Sequence, residues 1–409
     1  MNILVIGGGG REHAIVDVLS RSRHTDKIYC APGNAGIAEK AECVPFKDTD
    51  VDALLRFAEE KHIDLTVVGP EAALAVGIVD RFRAEGLTIF GHTKAATRIE
   101  SSKEFAKQLM EQYHIPTAAY RSFDNYKEAL AYVQSRPLPA VIKYDGLAAG
   151  KGVIIAQSLD EADEALRDML LDERFGQGRV VIEDFLQGPE FSFMCFVNGN
   201  NVYPMPLAQD HKRAFDGDKG LNTGGMGAYT PLPFITADDY EFALHHILEP
   251  AARAMVSEGC PLTGVLYGGL MKTKDGIKVI EFNARFGDPE TEVVLPLLQT
   301  DAVELFYAIA KGGNMPSLHW SDKPVIGVVM ASNGYPNGYK KDFAITIDPQ
   351  YDGMLYHMGT RREGTQLLTN GGRVLMVIST ADTLDEARRK VYRNIEYIHC
   401  DDLFYRHDI

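Results

Sequence analysis

The residues best suited to chemistry lie in Ile277-Lys278-Val279-Ile280-Glu281-Phe282-Asn283-Ala284-Arg285-Phe286-Gly287-Asp288-Pro289-Glu290. In an extended segment alternate side chains share a face, so Glu281, Asn283 and Arg285 project together while Ile280 and Phe282 point the other way. A carboxylate and an amide oxygen on one face suit magnesium, which takes one or two protein oxygens alongside substrate phosphates. Arg285 adds a planar fork for a carboxylate or an acyl phosphate. The competing account is a charged strand edge facing solvent. Against it, the Asp275-Gly276 turn fixes the strand in a hairpin, and an asparagine at a strand centre is unfavourable without a role.

A glycine cluster, Asp145-Gly146-Leu147-Ala148-Ala149-Gly150-Lys151-Gly152, separates the apolar runs Ala140 to Ile142 and Val153 to Ala156. It is not a Walker loop: the spacing from Gly146 to Gly150 is one residue short, Gly152 stands where Ser or Thr is required, and a strand follows. A glycine-rich hairpin of this kind can fold over a triphosphate while Lys143, on the preceding strand, reaches its oxygens; a plain hairpin tip with surface lysines is the alternative.

Further along, Gln209-Asp210-His211-Lys212-Arg213 and Asn222-Thr223-Gly224-Gly225-Met226-Gly227 put cations beside an aspartate and glycines that allow close backbone approach. The same composition fits a solvated loop. At the amino terminus, Gly7-Gly8-Gly9-Gly10-Arg11-Glu12-His13 follows a strand and opens a helix, where free N–H groups attract a phosphate. The third glycine of a dinucleotide fingerprint is missing, and the second strand ends at Cys30-Ala31-Pro32 with no acidic residue for a ribose, which disfavours a nicotinamide cofactor. Pro32-Gly33-Asn34-Ala35-Gly36 and Gly69-Pro70-Glu71 close two more strands, so three loops converge on one crevice unless they serve only as tight turns.

The elements that must position these groups follow from periodicity. Asn2 to Ile6, Lys27 to Cys30, Asp64 to Val68 and Leu87 to Phe90 read as strands. Arg11 to Leu19 and Val51 to Lys61 are amphipathic crossover helices, and a parallel doubly wound sheet results. Ser101 with Glu104 predicts a capping box and a helix running to about Tyr113. From Ala118 to about Leu318 hairpins mix with helices, Asn198-Gly199 marking another turn. No period is visible between Leu207 and Pro233, which predicts a long loop, functional or disordered. Val325 to Met330, Arg373 to Ser379 and a helix from Leu384 to about Ile395 form a last unit.

With 409 residues, two or three domains are expected. No run of about 20 apolar residues could span a membrane, and the amino terminus does not read as a secretory signal. Five scattered cysteines, Cys30, Cys43, Cys195, Cys260 and Cys400, suggest reduced thiols in a cytoplasmic protein. A formal charge of −15 argues against a nucleic-acid partner, and phosphate ligands would need a local reversal of sign.

In order and spacing, Gly9 to Ala14, Pro32 to Gly36, Asp145 to Gly152, Gln209 to Arg213, Asn222 to Gly227 and Glu281 to Glu290 resemble the ATP-grasp family over nearly the whole chain. Within it they are most similar to the ligases that join glycine to phosphoribosylamine. The resemblance implies an α/β and α+β protein: an amino-terminal doubly wound parallel sheet domain (1–101), a central ATP-grasp domain (102–320, with a flap subdomain at about 118–190) and a small carboxyl-terminal α/β domain (321–409). It implies a monomer acting on glycine, phosphoribosylamine and ATP with Mg2+ or Mn2+, through a glycyl phosphate, in purine biosynthesis. Lys143 would meet phosphates beneath a flap containing Gly146, Gly150, Lys151 and Gly152. Backbone groups of Glu183 and Leu186 would face adenine, Glu190 the ribose, and Glu281 and Asn283 the metal. Arg285, Lys143, Asp210 and Lys212 would be catalytic. Substrate binding falls to Gly9, Gly10, Arg11, Glu12, His13, Gly33, Asn34, Gly69, Pro70, Glu71, Asn222, Thr223, Gly224 and Gly225. Gly91-His92-Thr93 departs from the usual Gly-Pro-Thr, and Leu221 from proline. The alternatives are another ATP-grasp ligase, such as a biotin carboxylase relative, or a nucleotide sensor without turnover.

Overall fold

The first five strands are mutually parallel, in the order Glu42–Cys43, Lys27–Pro32, Asn2–Gly7, Leu65–Val68, Ile89–Phe90. These coordinates are a computed structural model that describes residues 1–146, 152–172, 174–176 and 178–409. The apolar run Ile3 to Ile6 is fully buried because helices or the carboxyl-terminal unit cover both sheet faces. Ile3 and Val5 enter one core, Leu4 and Ile6 another. Helix Gly10–Ser20 crosses over from the central strand, so the loops after Gly7, Pro32 and Val68 all open at the carboxyl edge.

Two four-stranded antiparallel sheets make up most of the central region. One has the order Tyr120–Phe123, Val180–Asp184, Ala140–Tyr144, Val153–Ala156, backed by helices Tyr126–Gln134 and Leu159–Leu170. The other has the order Asn201–Pro204, Glu190–Asn198, Thr263–Thr273, Gly276–Asn283. Both predicted hairpin turns are present, one joining the first two strands of this order and the other the last two.

The carboxyl-terminal unit is antiparallel: Val325–Ser332 pairs with Arg373–Thr380, which pairs with Met354–His357. Helix Leu384–Ile395, capped by the Thr383 hydroxyl on Glu386 N–H, packs on this sheet. The sheet is extended by Gly227–Thr230 and Gln209–Asp210, strands contributed from the preceding region. Its apolar face shares a core with Ile3 and Val5, so the two ends of the chain pack as one body.

Two expectations are corrected. The segment 207–233 is not a continuous loop; it holds Gln209–Asp210, the hairpin Arg213–Phe215 with Lys219–Asn222, and Gly227–Thr230. Each strand is two to four residues long, too short to show a period. The cap at the start of helix Lys103–Gln112 is Ser102, whose hydroxyl accepts from Phe105 N–H, while Ser101 ends the preceding helix Lys94–Ser101. A single residue between two helices leaves no sequence gap to mark it.

Candidate active site

Strand Gly276–Asn283 carries an irregularity that decides the site. Its pairing with Thr263–Thr273 runs Tyr267 with Asn283, Gly268 with Phe282, Gly269 with Glu281, then Leu270 with Val279, so Ile280 is an extra, bulged residue. Strict alternation from Ile277 and Val279 would send Glu281 and Asn283 into the core. The bulge flips the phase: Ile277, Val279, Phe282 and Ala284 share one apolar core, and Glu281, Asn283 and Arg285 line the opposite cavity. The strand ends at Asn283, so Arg285 lies just beyond it, contrary to a single extended segment. Its side chain still folds back, with Nη2 3.2 Å from Asn283 Oδ1.

The cavity is lined on its second wall by Lys143, Gly146, Gly152, Val153 and Glu183, and by Lys103 and Lys107 from helix Lys103–Gln112. Lys143 is buried, donates to the bulged Ile280 carbonyl at 3.0 Å, and sits 2.8 Å from Glu183 Oε1 off the hydrogen-bonding axis. The carbonyl is available because bulging removed its ladder partner. Glu183 Oε2 pairs with Lys107 at 2.8 Å. Lys103 donates to the Gly146 carbonyl at 3.0 Å, bracing the near end of the glycine hairpin. Gly150 and Lys151, assigned to that flap, lie outside the described residues.

Burial works against the charge on Glu281, but Lys212, Lys143, Lys103 and Arg285 together hold its carboxyl below the usual range. It is therefore an ionised oxygen donor facing the cavity beside an amide oxygen, and this donor set fits a hard divalent cation. Arg285 is spanned by carboxylates from two other elements: Glu100 Oε1 at 3.2 Å and Glu71 Oε2 at 3.5 Å. Glu100 also accepts from Ala284 N–H at 2.7 Å, fixing the strand end.

Asp210 and Lys212 lie next to this cavity rather than among its lining residues. Lys212 reaches Glu190 at 2.9 Å. Burial alone would lower the lysine, yet Glu190 and Asp210 hold it above its usual range. Asp210 is pushed up by burial and by Glu290, Glu190 and Glu281, with Lys212 only partly opposing. Leu186 sits in the segment after Val180–Asp184, also outside the lining.

The amino-terminal loops do meet. Glu12 accepts from Gly9 N–H and from Arg11 Nε, both at 2.6 Å, and a Cβ at Gly69 would fall 1.9 Å from its Oε1. Arg11 also donates to the Phe286 carbonyl at 3.1 Å. Arg11, Glu12 and His13 are thus buried braces of the loop. Asn34 donates to the carbonyls of Gly8 and His357, tying the second loop to the first and to the carboxyl-terminal unit. Of the third loop, Glu71 alone lines the cavity, and Pro70 caps the short helix after it. Thr223 donates to Lys212 O, and Gly224 O accepts from Arg373, which also pairs with Asp288. Asn222 stands exposed at the hairpin end. His92 is fully buried, with Nδ1 accepting from Thr263 N–H and Nε2 facing Val265 O at 2.7 Å, so this departure fastens the parallel sheet to strand Thr263–Thr273. Leu221 is half exposed on its hairpin.

Sequence reasoning missed Lys103, Lys107, Glu100 and Arg373. The two lysines were detectable in principle: they stand i, i+4 on the helix face that they share with Ala106 and Met110. Glu100 and Arg373 act across the fold and leave no local signal.

Residues 1–100, 101–291 and 325–409 match, in turn, the N domain, the ATP-grasp (A) domain and the C domain of phosphoribosylglycinamide synthetase. The chain belongs to the phosphoribosylglycinamide synthetase family. A phosphoribosylamine–glycine ligase of Halalkalibacterium halodurans is 52% identical over all of this chain and 96% of its own length. One from Listeria innocua is 49% identical over 100% and 99%. The crystal structure of a Thermotoga maritima phosphoribosylamine–glycine ligase superposes with a TM-score of 0.89 at 33% identity over the full length of both chains. A biotin carboxylase from Campylobacter jejuni, at 14% identity and TM-score 0.77 over 99% and 92%, shares the fold alone. The three-domain synthetase architecture is thus present: a parallel amino-terminal sheet, an ATP-grasp centre and a carboxyl-terminal domain mixing helices and sheet. Among the described residues no helix is long and apolar enough to cross a membrane.

Proposed function

We propose that this protein is the ATP-dependent carbon–nitrogen ligase that forms 5-phosphoribosylglycinamide from 5-phosphoribosylamine, glycine and ATP, with glycyl phosphate as intermediate and ADP and phosphate released. The reading rests on one observation above all: the Ile280 bulge turns Glu281 and Asn283 toward Lys143 across a single cavity.

Glu281 and Asn283 would hold Mg2+, with Mn2+ as a substitute, and the ion when bound neutralises phosphate charge during transfer. Lys143 meets the phosphates under the hairpin of Gly146 and Gly152, while Glu183, Leu186 and Glu190 border the nucleoside end. Arg285, already shared between Glu71 and Glu100, offers its guanidinium edge to the glycine carboxylate and restrains the acyl phosphate made from it. Asp210, crowded by other carboxylates, gains most from a cationic ligand, and the glycine ammonium supplies one. The phosphoribosylamine amine then attacks the activated carbonyl from the side of the amino-terminal loops, closure excluding water. Gly9, Gly10, Gly33, Asn34 and Gly69 supply close backbone approach there, with Glu71 linking that side to Arg285.

The units 1–101, 102–320 and 321–409 act together as a monomer in the cytoplasm, on small molecules and not on nucleic acid. The decisive experiment is ADP release with glycine and freshly generated phosphoribosylamine, each omitted in turn. Turnover should require both; ADP release that ignores phosphoribosylamine would reject the assignment in favour of another ATP-grasp ligase.

A further inference from the structure

Lys107 has no place in the mechanism above, yet it is 2% exposed and carries a charge into the wall of the cavity. Its Nζ lies 2.8 Å from Glu183 Oε2 and donates to Thr117 Oγ1 at 2.8 Å. Thr117 in turn donates to the Val279 carbonyl at 2.7 Å, one residue before the Ile280 bulge. Glu183 is therefore claimed twice, by Lys107 on one oxygen and by Lys143, 2.8 Å away, on the other.

We propose that Lys107 is a positioning residue for nucleotide binding: by holding half of Glu183 it keeps Lys143 from being neutralised, so that the triad presents one net positive charge to the phosphates. This rests on the reading of Lys143 as a phosphate ligand. With Lys107 gone, a buried Glu183–Lys143 pair would be neutral and tightly joined, and Lys143 would serve the carboxylate instead of the nucleotide. Burial of three charges at 2–5% exposure is otherwise hard to account for, since an apolar wall would be as stable.

The arrangement orders four proteins by triad charge. Glu183→Gln carries two positive charges, wild type one, Lys107→Met with Glu183→Gln one, and Lys107→Met none. Equilibrium titration with ATP, monitored by calorimetry without glycine, should give affinities in that order. One unit charge acting over ~10 Å at an effective dielectric near 20 corresponds to roughly tenfold per step. The double variant should bind within about threefold of wild type, Lys107→Arg should rescue, and the glycine KM should stay put. A double variant no better than Lys107→Met, or a Glu183→Gln protein that binds ATP no more tightly than wild type, overturns the proposal. The Glu183→Gln arm keeps the question decidable if Lys107→Met does not fold. Lys143→Met separates the two readings: unchanged ATP affinity there would remove the phosphate role itself, whereas loss there with no effect at Lys107 would remove only the inference.

Discussion

Replacing Gly69 by alanine should disable the amine-substrate side of the site while leaving nucleotide binding intact. A Cβ at Gly69 would stand 1.9 Å from Glu12 Oε1, 2.7 Å from its Cδ and 2.8 Å from its Cγ, so the whole side chain is in the way. Glu12 has little room to yield, because it is 2% exposed and its two oxygens are held by Gly9 N–H and Arg11 Nε. Expelling it breaks the bonds from Gly9 N–H and Arg11 Nε, each 2.6 Å long and made to a charged group. At about 1.5–3 kcal/mol apiece, the loss is about 3–6 kcal/mol of loop organisation. Initial rates at varied phosphoribosylamine should show a KM raised by two or more decades, and calorimetry with ATP an affinity within about twofold of wild type. The double variant Gly69→Ala with Glu12→Ala should be no worse than Glu12→Ala alone, because the clash and the lost bonds are one event. A wild-type phosphoribosylamine KM in Gly69→Ala, or strict additivity in the cycle, would show that Glu12 does not organise this side of the site.

At the metal side, Glu281→Gln removes the one ionised oxygen of the donor pair; the Mg2+ concentration for half-maximal rate should rise at least tenfold while metal-free ATP binds no more weakly, and an unchanged Mg2+ dependence would contradict the assignment. Arg285→Met leaves Glu100 buried without its cation, which should cost about 3–5 kcal/mol in urea unfolding and abolish ligase turnover; retention of the rate would dismiss its anion role. Burial holds His13, His92 and His357 far below the ordinary histidine value of 6.5, at about 3, 4 and 4. Above pH 6.5 they are neutral folded or unfolded and contribute nothing; as pH falls from 6.5 toward 4 only the unfolded chain takes up their protons. Stability should then drop by up to about 1.4 kcal/mol per pH unit for each. Urea midpoints that do not move between pH 7 and pH 5 would exclude this.

The parallel sheet and the late helix Leu384–Ile395 were legible because long apolar periods survive in sequence. The face carrying Glu281, Asn283 and Arg285 was legible too, but only by counting back from the polar residues. Counting forward from Ile277 and Val279 gives the opposite phase, and nothing in Val279-Ile280-Glu281 marks the bulge that reconciles the two. The strands between Gln209 and Thr230 escaped because each is only two to four residues long, and Val325–Ser332, which anchors Gly227–Thr230, lies about a hundred residues downstream. In sequence His92 is only a departure from Gly-Pro-Thr; its role is visible only with Thr263 and Val265 across the domain junction.

A chain with a formal charge of −15 that binds phosphates was expected to reverse sign locally. Among the described residues the cavity does not: Glu71, Glu100, Glu183 and Glu281 stand against Lys103, Lys107, Lys143 and Arg285, four of each sign. Three of the carboxylates are committed to cations at the walls, Glu183 to two lysines, Glu71 and Glu100 to Arg285. Glu281 is the one that the surrounding cations keep ionised without a wall partner of its own. The described lining taken alone is neutral and has little attraction for a tetraanion, and on the proposed reading a cation arriving with the nucleotide supplies the missing charge, with Glu281 to receive it. That accounts for a metal requirement without a closed protein cage, and for why removing one wall charge, at Lys107 or at Glu183, should move ATP affinity.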